Sequence, residues 1–349
     1  MRRPILIAAA LLAIAFKPAG AQSRIKNEAS IGVLGLFHAQ EVVVSAITGK
    51  PLECRDEQER LSILGSLDIR RQGSNIVTRT MASSSTHASI LCDDGQGSYA
   101  EFTVSIPQKI SRRYQGKLVI RSGGTELLIA VRMNLETAVA SVVLAESPPN
   151  APLEALKAQA VAARSFLVAG RGRHRDIDFC DTTHCQFLRE PPSGESPAAR
   201  ATAATRGLVL AYKDEVFAAM YSASCGGHTH SLEELGIAVR DYPYFAVTCD
   251  YCIRHPEKWV AEISEQDAST LAGTEGSRLN LARRLGWKTI PSNSYSSRHQ
   301  NGEVLLEGVG NGHGIGLCQR GATDMARHGA SFREILEHYY PNTTIKEMQ

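Results

Sequence analysis

The chain lacks a surplus of charge of either sign: 38 Lys and Arg stand against 36 Asp and Glu, a net +2. A near-neutral chain has no general electrostatic pull toward nucleic acid. It has no GxxxxGK[ST] motif, no internal repeat and no low-complexity tract, so neither a P-loop nor a repeat array organises it. Long hydrophobic runs are missing too. The apolar stretch from Ile5 to Phe16 follows Arg2 and Arg3 and precedes Ala19-Gly20-Ala21. It is too short to span a bilayer and fits a cleaved secretory signal over residues 1–21. Cleavage after Ala21 would remove three cations and no acid, taking the net charge from +2 to −1 and leaving 328 of the 349 residues. No cysteine sits at the cleavage site, so no lipid anchor is expected, and no transmembrane segment remains. The expected destination is the periplasm, or the cell wall and extracellular space.

What is present begins with eight cysteines, at 54, 92, 180, 185, 225, 249, 252 and 318. An even number in an exported chain favours disulfides before spacing is considered. Residues 22–130 read as β-rich: "EVVVSAI", "NIVTRT" and "AEFTVSI" are short β-branched runs, and "KLVIRSGGTELLIAV" is a hairpin signal around Gly123-Gly124. Cys54 and Cys92 are the only thiols there and are expected to pair. From Leu135 the period changes to helical, and residues 131–349 are expected to form a mixed second domain. A second helix is expected from near Asn150, with Pro152 in its first turn. "LVLAYKDEVFAAMYSAS" predicts two strands across Lys213-Asp214, and the end predicts two helices separated at Gly329. Residues 255–300 give no clear pattern. The expected class is α+β.

One acid sits oddly. Leu135, Ala138, Val139, Val142 and Val143 recur at helical spacing, the next place on that stripe is Glu146, and Pro148 and Pro149 then stop the helix. Burial against apolar neighbours and the negative end of the helix dipole both disfavour its charged form. Both raise its pKa, as a general acid near neutral pH requires. The bland alternative is a helix-end Glu that turns to water. In the second helix Lys157 and Arg164 lie two turns apart on one face, amid Ala155, Leu156, Ala158, Ala160, Val161, Ala162 and Ala163. A helix apolar almost all round is normally buried, so two cations on it call for an anion or an oxygen-rich ligand, the alternative being a solvated stripe.

The segments "LETAVASVVLAES", "EALKAQAVAARSF", "CDTTHCQ", "SASCGGHT", "NGHGIGLCQRGA" and "ILEHYYPNT" occur in the order found in the stage II sporulation protein D (SpoIID) family, and the chain resembles that family from about Tyr114 to Thr344. The resemblance implies an exported peptidoglycan-acting protein with a SpoIID-like catalytic domain around a central groove. In some members this is a lytic transglycosylase on glycan strands, in others an enhancer of a cell-wall amidase. It places the catalytic acid on Glu146 and the helix cations on Lys157 and Arg164. Ser147 stands where many relatives have Met. Sporulation is a family label; a member could act on vegetative wall as well.

Hydrolytic glycosidases usually need two carboxylates, and only Glu146 has the setting, since Glu136 and Glu154 sit at helix starts. A lytic transglycosylase avoids the second acid because the substrate's own 6-hydroxyl attacks the anomeric carbon. Lys157 and Arg164 would then hold the muramyl lactate or fix Glu146. "HRDIDFCDTTHCQ" brings His174, Cys180, His184 and Cys185 within twelve residues. Two thiolates and two imidazoles suit tetrahedral zinc, although a Cys180–Cys185 disulfide is open. The resemblance supports a structural zinc here. Cys225, Cys249, Cys252 and Cys318 form either a second thiolate site or two disulfides. The glycines at 308, 310, 312, 314 and 316 suit close backbone approach to a bulky ligand more than phosphate binding. His313 is that loop's titratable side chain, either a ligand to sugar hydroxyls or a pin for the loop. By the resemblance, "SCGGHT" lines the same cleft, which makes His228 and Thr229 candidate ligands. The competing function is a wall-binding module that stimulates an amidase without catalysis. A Cys–His hydrolase at Cys185 is weaker, because His184 is its sequence neighbour and no orienting Asn or Asp is evident.

Overall fold

The computed structural model describes residues 27–348 apart from 57–59, 63–64, 81–82, 173, 236–241 and 272–273; the expected signal segment, 1–21, lies outside the described residues. Two compact units emerge. The first takes residues 27–146 and 167–207, the second 147–166 and 208–348. The chain therefore passes between units three times, and the division expected near residue 130 falls inside a strand.

The first unit is built on strands β1 (Glu28–Gly32), β2 (Glu41–Ala46), β3 (Glu53–Arg55), β4 (Arg60–Ser62), β5 (Ser66–Gln72), β6 (Asn75–Arg79), β7 (Ser84–His87), β8 (Ser89–Asp93), β9 (Ala100–Ile106), β10 (Ile110–Ser122), β11 (Leu127–Asn134) and β12 (Phe179–Cys180). Their order is β12-β1-β11-β10-β9-β2-β5-β6-β7, with β8 also on β10 and joined through β3 to β4. Burial alternates residue by residue along β9 and much of β10, the period-two signature of a sheet with one covered face. The expected strands are present. The β10–β11 turn closes with the Gly123 N–H donating to the Glu126 carbonyl at 2.8 Å. Cys54 and Cys92 face each other in register across β3 and β8 and form the expected disulfide. A cross-link across 38 residues of sequence removes about 4 kcal/mol of chain entropy from the unfolded state.

The first three helices after β11 are α1 (Leu135–Glu146), α2 (Leu153–Ala169) and α3 (Pro197–Ala204). In the first unit α1 packs against α3, which starts with Ser196 accepting the Ala199 N–H at 3.2 Å and Pro197 in its first turn. The α1 helix ends before the proline pair as expected. The next helix starts at Leu153 rather than near Asn150, because Asn150 takes a left-handed turn (φ 58°).

The second unit holds α2 as far as Phe166 and the elements β13 (Leu208–Tyr212), β14 (Glu215–Val216), β15 (Tyr221–Ser222), α4 (Asp250–Arg254), β16 (Lys258–Ser264), α5 (Glu265–Ala268), α6 (Glu275–Leu285), β17 (Tyr295–Gln300), β18 (Glu303–Val309), β19 (Leu317–Cys318), α7 (Gln319–Arg327), α8 (Phe332–Tyr339) and β20 (Thr344–Glu347). Lys213 and Asp214 both have positive φ, the twist-matched two-residue hairpin turn. The second strand expected after that turn is only Glu215–Val216; β15 instead pairs in parallel with β19. Residues 255–300 contribute β16 and β17 to a sheet ordered β16-β18-β17, with its own small core of Ala261, Ile263, Leu281, Ile290, Val304 and Leu306. The larger core gathers Ala158, Val161 and Ala162 of α2 with Leu210, Phe217, Leu317, Leu336, Tyr339 and Tyr340. The architecture is α+β.

Candidate active site

Glu146 is the last residue of α1, and the apolar stripe that leads to it is buried along its length. The Phe187 backbone N–H donates to Glu146 Oε1 at 2.6 Å. Burial raises the Glu146 pKa to about 7, the Phe187 N–H acting against it. A carboxyl group held there is divided between its two protonation states near neutral pH.

Phe187 is held in place by what precedes it. Strand β12 pairs in parallel with β1, Phe179 opposite Ile31 and Cys180 opposite Gly32. Asp178 Oδ2 accepts the Ser30 N–H at 2.9 Å and Arg171 at 3.2 Å. Asp181 Oδ2 accepts the Leu34 N–H and the Arg112 guanidinium, each at 3.1 Å. Burial pushes the Asp181 pKa up. Two carboxylates thus fasten both ends of β12 to the sheet, and the four predicted metal ligands bracket it: His174 ahead of it, Cys180 as its last residue, His184 and Cys185 after it.

The ligand atoms of His174, Cys180, His184 and Cys185 all lie within 4.8 Å of one another. His174 Nε2 is 3.2 Å from Cys185 Sγ, and His184 Nδ1 is 3.7 and 3.6 Å from the two sulfurs. Both cysteines are thiols here. Hydrogen bonding from Cys185 lowers the Cys180 pKa to about 3 against its burial, so a thiolate is stable at this place. Two soft sulfurs and two imidazoles converging on one point fit a tetrahedral divalent metal such as zinc.

The second unit places the other predicted residues. Lys157 Nζ bonds Glu154 Oε1 at 2.6 Å and lies 5.9 Å from the Phe332 ring. Glu154 Oε2 accepts the Phe332 N–H at 2.8 Å. Burial pushes the Glu154 pKa up, but the bonds from Lys157 and Phe332 outweigh it and leave it below its ordinary value. Arg164 is fully buried and donates to the carbonyls of Leu208 at 3.0 Å and Ala160 at 3.4 Å. Seven residues apart, the two cations have different fates: one stays partly open and the other is sealed in, tying α2 to the start of β13.

His228 is exposed. Thr229 is fully buried, its Oγ1 donating to the Phe245 carbonyl and accepting the Val247 N–H, so it braces its loop. His313 Nδ1 accepts the Ile315 N–H at 3.0 Å, and burial lowers its pKa; a neutral ring pins the glycine loop. Sequence reasoning missed His230. Its N–H donates to the Gly314 carbonyl at 2.7 Å, its Nε2 is 2.7 Å from Ser294 Oγ, and its ring lies 5.1 Å from that of His228. It stitches the "SCGGHT" segment to the glycine loop. The available signal was its place two residues after His228, which in extended chain puts both rings on one side.

Residues 123–212 match the SpoIID family, described as stage II sporulation protein. An uncharacterized protein of Brachyspira hyodysenteriae is 28% identical over 267 residues, 66% of this chain and 72% of its own length. Stage II sporulation protein D of Bacillus amyloliquefaciens is 27% identical over 61% of this chain and 74% of its own. The amidase enhancer of Bacillus subtilis is 25% identical over 58% of this chain, which spans only 39% of that longer protein. Residues 123–212 thus carry a SpoIID family segment, and over most of its length the chain is similar to proteins named stage II sporulation protein D and amidase enhancer.

Proposed function

We propose that this protein is an exported peptidoglycan-degrading enzyme, a lytic transglycosylase cleaving the bond between N-acetylmuramic acid and N-acetylglucosamine with Glu146 as its one acid and base. The observation that carries this is a carboxyl group at the end of an apolar helix stripe with a pKa near 7. Protonated Glu146 donates to the glycosidic oxygen as the bond to the anomeric carbon breaks. The carboxylate then takes the proton of the substrate's 6-hydroxyl, whose oxygen bonds to the same carbon and closes a 1,6-anhydro ring. The Phe187 N–H steadies the carboxylate between the two transfers.

Glu154, already bonded to Lys157 and held ionised, is not a second acid, which favours transglycosylation over hydrolysis. Lys157 is the cation offered to the lactate carboxylate, and Arg164 positions its helix. His228 would offer its exposed ring to the sugar hydroxyls, while His313 and Thr229 would hold the loops that line the cleft. His174, Cys180, His184 and Cys185 would hold a structural zinc, whose bonds would cross-link the loop ahead of Phe187 and leave no open position for water.

A second reading is favoured by the likeness to the amidase enhancer of Bacillus subtilis: a wall-binding module that stimulates an amidase partner without cutting glycan. The deciding experiment digests stripped and intact sacculi and identifies the new sugar ends by mass. Anhydro ends that disappear in Glu146→Gln support the transglycosylase. Reducing ends would make it a hydrolase, and no new ends with increased amidase release would make it an enhancer.

A further inference from the structure

We infer that Cys225, Cys249, Cys252 and Cys318 form a closed, purely structural zinc site inside the second unit, separate from the His–Cys loop. The four come from three stretches of chain. Cys225 follows β15; Cys249 and Cys252 open α4; Cys318 ends β19 and caps α7. All four are buried, none more than 3% exposed. Their sulfurs lie within 4.8 Å of one another, Cys252 and Cys318 at 3.6 Å.

Zinc–sulfur bonds of about 2.3 Å at tetrahedral angles put the sulfurs about 3.8 Å apart, which the 3.6 Å between Cys252 and Cys318 and the 4.8 Å bound on the rest accommodate. Two disulfides would instead draw the sulfurs into two pairs at about 2 Å. These four remain thiols, whereas Cys54 and Cys92 are joined. The group is too tight to enclose an iron–sulfur cluster: sulfurs within 4.8 Å of one another leave room between them for a single ion. Soft thiolates in a closed tetrahedron select zinc.

The surroundings suit a buried anionic centre. Tyr339 Oη is 3.4 Å from Cys249 Sγ and Ser224 Oγ is 3.5 Å from Cys252 Sγ, hydroxyls able to donate to metal-bound sulfur. The N-terminus of α7 begins at Cys318, where its dipole favours a thiolate. Gly321 has the same logic: a Cβ there would strike the Tyr339 hydroxyl and Cys249 Sγ, so only glycine lets α7 lie this close. Binding exchanges thiol protons for one divalent ion and fastens together the segments that bear His228 and the glycine loop.

The test counts zinc on the full chain carrying Cys180→Ser and Cys185→Ser, which removes the loop thiols and leaves the four. Native mass spectrometry is expected to find one zinc per chain, with the four thiols shielded from alkylation until a chelator removes the metal. On the same double variant, cobalt exchanged into the site is expected to give the charge-transfer absorption of an all-sulfur tetrahedral centre. The assignment falls if the double variant carries no zinc and its four thiols alkylate freely. It falls equally if the mass is lower by about 4 Da, the signature of two disulfides, or if iron occupies the site instead.

Discussion

Two glutamates eight residues apart, Glu146 closing α1 and Glu154 in the first turn of α2, have been given opposite chemistry. Glu154 has a lysine and a backbone N–H for its two oxygens and is held as an anion. Glu146 accepts the Phe187 N–H at the end of an apolar stripe, and its pKa rises to about 7. The difference lies in which helix end each occupies and what lies beside it, not in the side chain. A proton is available at neutral pH from only one of them.

The sharpest way to break this comparison is to neutralise each in turn. Glu146→Gln is expected to lower anhydro-end release about 10²–10⁴-fold, the usual worth of a general acid, while Glu154→Gln stays within a few-fold. Equal losses would end the distinction.

Stability should then separate them with opposite pH slopes. The folded-state pKa of Glu146 is raised, so the stability it contributes is complete below its unfolded value of 4.5 and is lost as pH rises through about 7. Glu146→Gln escapes that loss. Urea denaturation should find it more stable than the parent at pH 8, by up to about 3 kcal/mol, with the two converging near pH 4. Glu154 is the reverse case: its pKa is lowered, so its contribution is present above the ordinary carboxylate range and lost as pH falls through the folded value. Glu154→Gln should cost about 0.5–1 kcal/mol at pH 7, a partly exposed ion pair being worth little more, and nothing once acid has protonated the parent.

The smallest effect is a shift in titration. Phe187→Pro removes the N–H that opposes the rise of the Glu146 pKa, so the pH at which activity falls should move upward by less than about one unit. Phe187→Ala keeps the N–H and should leave that midpoint alone; a shift there would place the control in the ring rather than the backbone.

The acid was readable in sequence because its causes are local: a helical stripe, an acid on it and two prolines after it. The grouping of His174, Cys180, His184 and Cys185 was readable for the same reason. What could not be read depends on distant chain. The N–H given to Glu146 comes from Phe187, fixed by β12 pairing with a strand nearly 150 residues earlier. Seven-residue spacing put Lys157 and Arg164 on one side of α2, but only the passage of β13 decides that Arg164 is sealed and Lys157 is not. His230 acts through the carbonyl of Gly314, which no periodicity announces. The mixed stretch at 255–300 failed because its strands are short and its partner, β18, comes later in the chain.

The threefold passage of the chain between units bears on how the protein is made. A ribosome that has released the first 146 residues has not yet delivered β12, the edge strand against β1, nor α3, the helix beneath α1. Neither unit can be completed, or cut away intact, by a single break in the chain. Folding of the first half must wait until residue 207 emerges, and a fragment ending at either proline would be born missing part of its own sheet.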